Sequence, residues 1–249
     1  LEAYQEAEED QEALECIPML KRSDIKKEAA KFVNEELSVD DSLFLYHDVC
    51  TNGIGYVDLM FKTDSIAPEQ IPYLGLLKSV LGYVDTKDYT YGELFNEINA
   101  NTGGINCGVE VFDRADSTEE FQAMFSVRGK ALYTKMDFLF KMIGEILNSS
   151  KLEDTKRLYE IIASVKSRAQ VSLTGAGHST AVLRAAAYSS PMAAFQDEMA
   201  GIGYYQFIEK LEKDFEQRKE ETVEELCKLM KKILRPENFM ISYTGERES

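Results

Sequence analysis

Apolar positions Leu74, Leu77, Val80, Leu81 and Val84 recur at three- and four-residue steps behind Pro68, which predicts a helix opening at that proline. A second helix is predicted from Thr90, where Thr90-Tyr91-Gly92-Glu93 forms a capping box. It is expected to stop at Thr102-Gly103-Gly104, because glycine adopts the left-handed conformation that ends helices. The same period returns at Met136, Leu139, Phe140, Ile143, Ile146 and Leu147. A further capping box, Ser150 to Glu153, is expected to open a long helix through Leu158, Ile161, Ile162 and Val165 to about Leu173. Residues 174–202 are small and mixed, suited to close helix packing, and a last helix is predicted from Tyr204 to about Leu234, ended by Pro236. Its buried stripe would hold Phe207, Ile208, Leu211, Phe215, Leu226, Leu229, Met230 and Ile233.

Between the helices lie β-rich runs. Residues 43–49 and 54–61 flank the turn Thr51-Asn52-Gly53 and read as a hairpin. Ile105–Phe112 and Glu119–Gly129 flank a second turn, and Asn238–Thr244 reads as a final strand. The order implies an α+β fold, a mostly antiparallel sheet with helices packed on one face. Residues 1–40 are expected to be the end of an acidic helix and a connector with a helical stretch from Lys26 to Leu37; residues 41–249 are expected to form the globular domain.

Composition adds little to this until charge is followed along the chain. The 249 residues carry a net charge of −16, with 44% apolar and 29% charged residues, ordinary for a globular protein. Residues 1–15 hold seven acids and no base, leaving 37 acids against 28 bases elsewhere. Nucleic acid and anionic membranes need a basic face, so neither is an expected partner. Cys16, Cys50, Cys107 and Cys227 are widely spaced, which points to free thiols in a reducing, cytoplasmic setting. The chain begins with Leu1 and shows neither a signal peptide nor a long apolar span, and it reads as a piece of a longer polypeptide.

The two-helix frame over residues 68–105 resembles the pitrilysin/insulinase family of zinc metallopeptidases, and specifically its presequence-protease branch. In that family the first of these helices carries an inverted zinc motif, H-x-x-E-H. Aligned here, the motif falls on Leu76-Leu77-Lys78-Ser79-Val80, with aliphatic residues at both histidine positions and serine at the glutamate. Ile17-Pro18-Met19-Leu20 with Asp24-Ile25 looks like the exit from the family's helical linker, and Thr51–Ile54 like the edge hairpin of its repeated domain. Gly177-His178-Ser179 followed by Leu183–Ala187 looks like a segment of the non-catalytic half.

The resemblance implies a non-catalytic repeat domain of a two-halved zinc metalloendopeptidase that degrades short unstructured peptides. Zinc would sit in the other, catalytic half of the same polypeptide, with no cofactor, catalytic residue or metal ligand in this segment. It assigns no residue of this chain to substrate contact. The rival reading is a scaffold subunit of the same fold, like core proteins of respiratory complexes, distinguished by the absence of an H-x-x-E-H motif upstream.

Other chemistry is weaker. His47 and His178 are the only histidines, and their spacing builds no zinc site. His178, in a glycine-rich turn, is expected to cap a helix or bond a carbonyl. Cys107 paired with His47 would make a nucleophilic pair, but Cys107 lies in an apolar strand and reads as a buried hydrophobe. The family's third ligand would fall near Lys156-Arg157, and the neighbouring Glu153 and Glu160 read as exposed helix carboxylates. Gly103-Gly104 follows a helix, whereas phosphate loops precede one. Tyr188, Phe195, Tyr204, Tyr205 and Phe207 read as core aromatics rather than a peptide wall.

Overall fold

The computed structural model describes residues 2–5, 7, 10–29, 31–39 and 42–247. The chain divides into two compact units, residues 1–32 and 33–249. The first holds two short helices, α1 (Glu2–Gln5) and α2 (Gln11–Glu15), so the acidic run is not one helix. Its Glu6, Glu8 and Glu9 lie outside the described residues. A 3₁₀ turn at Arg22–Asp24 is closed by the Lys21 amide donating to the Asp24 carboxylate at 2.8 Å.

In the second unit, six strands make one sheet: β1 (Glu35–Val39), β2 (Ser42–Asp48), β3 (Ile54–Lys62), β4 (Ile105–Arg114), β5 (Ser117–Leu132) and β6 (Phe239–Gly245). Their spatial order is β1-β2-β6-β3-β5-β4, antiparallel throughout except for the parallel pair β2–β6. Two expectations are corrected here. The helical stretch over Lys26–Leu37 is absent among the described residues, and β1 takes its end, pairing with β2. The expected boundary at residues 40 and 41 falls outside the described residues. Strands β2 and β3 do not form a hairpin, because β6 lies between them. The turn itself is real: Asn52 and Gly53 have φ of 54° and 81°. It reverses the chain but leaves a strand's width open for a partner almost two hundred residues later.

Helices α3 (Ile71–Val80), α4 (Tyr91–Asn101), α5 (Met136–Ser149), α6 (Thr155–Gly175), α7 (Gly177–Ala186), α8 (Pro191–Ala200), α9 (Ile202–Lys213) and α10 (Phe215–Ile233) complete the chain. They supply one continuous core with the alternate strand residues Val57, Leu59, Phe61, Phe125 and Val127. The period of two turns Tyr56, Asp58, Ser126, Arg128 and Ser242 to the opposite face. The fold is α+β as the pattern implies.

The innermost helix is α3. Leu74, Leu76, Leu77 and Val80 are sealed from solvent, and Leu81 and Val84, just past its end, are buried too. Burying each leucine contributes about 2–3 kcal/mol. A Cβ at Gly75 would stand 2.7 Å from the Met199 carbonyl oxygen and 2.8 Å from the Tyr204 ring, so α3 crosses its neighbours at backbone distance. Helix α4 starts as expected, the Thr90 amide donating to Glu93 at 2.9 Å and the Glu93 amide to the Thr90 hydroxyl at 3.3 Å. It ends at Asn101, and Gly104 takes a φ of +104°.

Elsewhere local signals misplace the ends. Ser150 does not open α6; its hydroxyl donates back to the Ile146 carbonyl at 2.7 Å, and Asp154 caps the helix by accepting from the Arg157 amide at 3.0 Å. The predicted 204–234 helix is two, α9 and α10, broken at Asp214. The break lets Phe215 turn into the core beside Tyr159.

Candidate functional site

The positions of the resembling zinc motif lie on α3, packed against its neighbours. Zinc needs nitrogen, sulfur or oxygen donors. Leu76 and Val80 offer buried aliphatic carbon, and the Ser79 hydroxyl donates to the Gly75 carbonyl at 3.3 Å. Lys78 is half-buried, and desolvation lowers its pKa against the opposing pull of Glu110. Near the expected third ligand, the Arg157 guanidinium lies 3.8 Å from the Tyr91 ring centre, donates to the Tyr83 carbonyl at 2.9 Å and pairs with Glu160 at 3.1 Å. A fixed cation thus stands where a ligand would be required. These residues do not fit a zinc ion.

The histidines are separated. His178 is exposed in the first turn of α7, not in a turn between elements. His47 lies on the uncovered face of β2, and Cys107 faces the core from β4, four strand spacings or about 19 Å away. Burial pushes the Cys107 thiol up to about 12, so it holds no thiolate at neutral pH. Glu153 and Lys156 are exposed. Among the aromatics, Phe195 packs on Phe121 and Phe207 meets Tyr73 edge-on, while Tyr204 is buried with its hydroxyl pKa raised by desolvation. Tyr188 stands apart at 83% exposure, so the five form no common wall.

The segment Leu183–Ala187 has a structural task. Arg184 pairs at 2.6 Å with Asp197, whose carboxylate is almost fully buried and accepts the Ile202 and Gly203 amides at 3.0 and 3.2 Å. One carboxylate therefore locks α7 and α8 to the start of α9. Side chains at Gly201 and Gly203 would collide with it or its neighbour Glu198.

What the sequence reading missed is a polar belt across the uncovered face of the sheet. Arg128 on β5 donates from Nε to Asp58 on β3 at 2.7 Å and pairs with Glu110 on β4 at 3.1 Å. The Asp58 hydrogen bond raises the guanidinium pKa further. Ser242 on β6 lies opposite Asp58 and within 3.2 Å of His47 Nε2. His47 Nδ1 lies 2.8 Å from the Val33 carbonyl, which only accepts. Nδ1 therefore carries the proton, and in the neutral ring Nε2 accepts from the Ser242 hydroxyl. The detectable signal was the period of two: Asp58 and Arg128 are charges in the middle of apolar strands.

Beside the belt is a hollow of about 530 Å³, walled by Tyr56, Asp58, Asn106, Arg128, Lys130 and Thr244. Asp58 Oδ1 itself is sealed from solvent and has no hydrogen-bond partner among the described residues. An orphaned acceptor costs about 1–3 kcal/mol, whereas an ion pair to a half-exposed arginine returns at most about 1. The arrangement is poorly explained as a stabilising device. The hollow's lining is mostly apolar, with Asp58, Asn106, Arg128 and Lys130 among its charged and polar groups, and these suit recognition rather than bond-breaking chemistry.

Comparison with known proteins agrees with the fold. The sequence model for "Peptidase M16C associated" matches residues 1–211. Protein HypA of Clostridium perfringens is 36% identical over all of this chain and a quarter of its own length. Presequence protease 1 of Arabidopsis thaliana, chloroplastic/mitochondrial, is 27% identical over all of this chain and 23% of its own. The chain thus spans about a quarter of these relatives. The fold also matches a conserved protein from Enterococcus faecalis V583, with a TM-score of 0.60 and 14% identity over 85% of this chain and 48% of that one. No helix among the described residues is long and apolar enough to cross a membrane.

Proposed function

This chain belongs to the peptidase M16C-associated family, and on that premise we propose that it is the non-catalytic, substrate-enclosing part of a zinc-dependent metalloendopeptidase acting on short unstructured peptides. Zinc and its ligands would reside in the catalytic half of the same polypeptide. Relatives named as presequence proteases support this, as does an α3 that keeps the frame of the motif while its donor positions are filled with buried leucine and valine. The observation that carries the enclosing role is the uncovered sheet face, with its hollow walled by Tyr56, Asp58, Arg128 and Lys130.

The role follows from what a flexible peptide loses on binding. Its scissile bond must be held near the metal, and confinement between two halves supplies that ordering and excludes bulk water. The test compares peptide cleavage by the full-length protein, by the catalytic half alone, and by that half with the remainder added back. The expectation is little cleavage by the catalytic half, recovery on adding the remainder, and none by this chain alone. Full activity of the catalytic half alone would overturn the enclosing role, and an upstream region without H-x-x-E-H would favour the scaffold reading.

A further inference from the structure

We infer that the hollow on the uncovered face takes the C-terminal end of a peptide, an α-carboxylate carried by a residue with an apolar side chain. The inference rests on the reading of the chain as a peptide-enclosing domain and says which end of the peptide it holds. The pairing register places the groups. Thr244, Tyr56 and Lys130 lie opposite one another on β6, β3 and β5, and Ser242, Asp58, Arg128 and Asn106 form the next row on β6, β3, β5 and β4. Partners within a row stand about 5 Å apart, and the two rows about 7 Å apart. Gly103 and Gly104, which bring no side chain, help to wall the hollow of about 530 Å³ between them.

The charge of this lining is out of keeping with a chain of net charge −16. Its one acid, Asp58, is committed to Arg128 through Oδ2 at 2.7 Å, and its other oxygen is sealed from solvent. Glu110, the second partner of Arg128, is not part of the lining. The Lys130 ammonium and the Asn106 side chain have no ion-pair or hydrogen-bond partner among the described residues. Two acids on separate strands already hold Arg128, so its guanidinium loses little freedom when a ligand arrives. The Lys130 stem lies across Gly103, where a Cβ would meet it from 2.6 Å, and the Gly103 amide donates to the Lys130 carbonyl at 2.8 Å.

The remainder of the lining is apolar: Ile105, the ring of Tyr56, and the aliphatic stems of Arg128 and Lys130. A small inorganic anion would make no use of that wall, and an uncharged apolar group would leave the donors idle. A carboxylate has two acceptor oxygens, which Lys130, Arg128 and Asn106 can share as donors. The terminal residue of a peptide joins a carboxylate and a side chain at one carbon, so the first meets the cations while the second lies on the apolar lining. An internal aspartate or glutamate carries its charge at the tip of its own side chain, with no apolar group beside it. Capture of a terminal carboxylate is a recurring mode of peptide recognition. A peptide held by this end keeps the rest of its length free to reach the catalytic half.

The probe is a glycine–serine peptide ending in leucine, labelled at its N-terminus, titrated into this chain and followed by fluorescence anisotropy. It is compared with its C-terminal amide, with a free acid ending in glycine, and with an amidated peptide carrying an internal glutamate beside leucine. We expect saturable binding of the leucine-ended acid, about tenfold weaker for both amidated peptides, since each lacks the charged end. The glycine-ended acid should bind several-fold more weakly, and raising the salt should weaken the acid but not the amide. Lys130→Gln should weaken the acid several-fold and Lys130→Arg should retain it, both with unchanged circular dichroism. No binding, equal binding of acid and amide or of the leucine- and glycine-ended acids, or an unaffected Lys130→Gln variant would overturn the inference. So would an internal glutamate that binds as tightly as the free end, since any carboxylate would then serve. Failure here alongside crippled cleavage on removal of this chain leaves the enclosing role standing and this site refuted. Binding as expected beside full activity of the catalytic half alone leaves the site standing and the enclosing role refuted.

Discussion

The two faces of the sheet are made by the same strands one residue out of step, yet they solve opposite problems. On the covered face Val57, Leu59, Phe125 and Val127 meet α3 and its neighbours in a sealed core. On the other, Arg128 joins β5 to Asp58 on β3 and Glu110 on β4, His47 and Ser242 separately join β2 to β6, and one Asp58 oxygen has no partner among the described residues. The α3 positions that resemble the family's zinc motif lie on the covered side, where Leu76 and Val80 are packed in the core and the Ser79 hydroxyl bonds its own helix. The hollow beside Asp58 and Arg128 lies on the other side. A one-residue step along the same strands thus separates apolar packing from polar surface chemistry.

That contrast is broken most directly in the core. Leu74→Ala on α3 should cost about 3–4 kcal/mol in urea unfolding, since a sealed leucine is lost and close crossings such as that at Gly75 resist collapse. A loss below about 1 kcal/mol would mean that α3 is not the centre of the core. At the junction of the two faces, Gly104→Ala should cost about 1–2 kcal/mol, because its φ of +104° strains any side chain. Gly103→Ala should cost less, since its backbone is not left-handed and the nearest atoms its Cβ would meet, from 2.6 Å, belong to the Lys130 side chain, which can shift. Equal losses would place the left-handed residue elsewhere. On the open face Asp58→Asn should shift stability by less than about 1 kcal/mol, as its arginine partner is half exposed. A shift of several kcal/mol would make the belt a structural element and remove the case for recognition.

Helices α3 and α4 were legible because their signals are local. The period of Leu74, Leu77 and Val80, the Thr90–Glu93 box and the glycine stop all act within one or two turns. The belt was not, since Ser242 reaches His47 across 195 residues of sequence. The missing hairpin has the same cause. Asn52-Gly53 fixes a reversal of direction, but no local residue states which strand will occupy the neighbouring slot. Similarly, Ser150 and Asp154 both satisfy the rules for opening a helix, and the choice depends on where α5 ends. The segment around Arg184 was recognised without a reason for its form; Asp197, thirteen residues on, supplies it.

The slot filled by β6 has a consequence for how the molecule comes into being. Strands β3, β5 and β4 can assemble once residue 132 has been made, and β1 with β2 forms a separate local pair. Nothing joins the two half-sheets until residues 239–245 arrive between them. During synthesis each half presents an open edge, on β2 and on β3, and closure must wait for a contact of very long sequence separation, which slows folding. A nascent chain stalled short of β6 thus exposes two unpaired strand edges, on β2 and on β3.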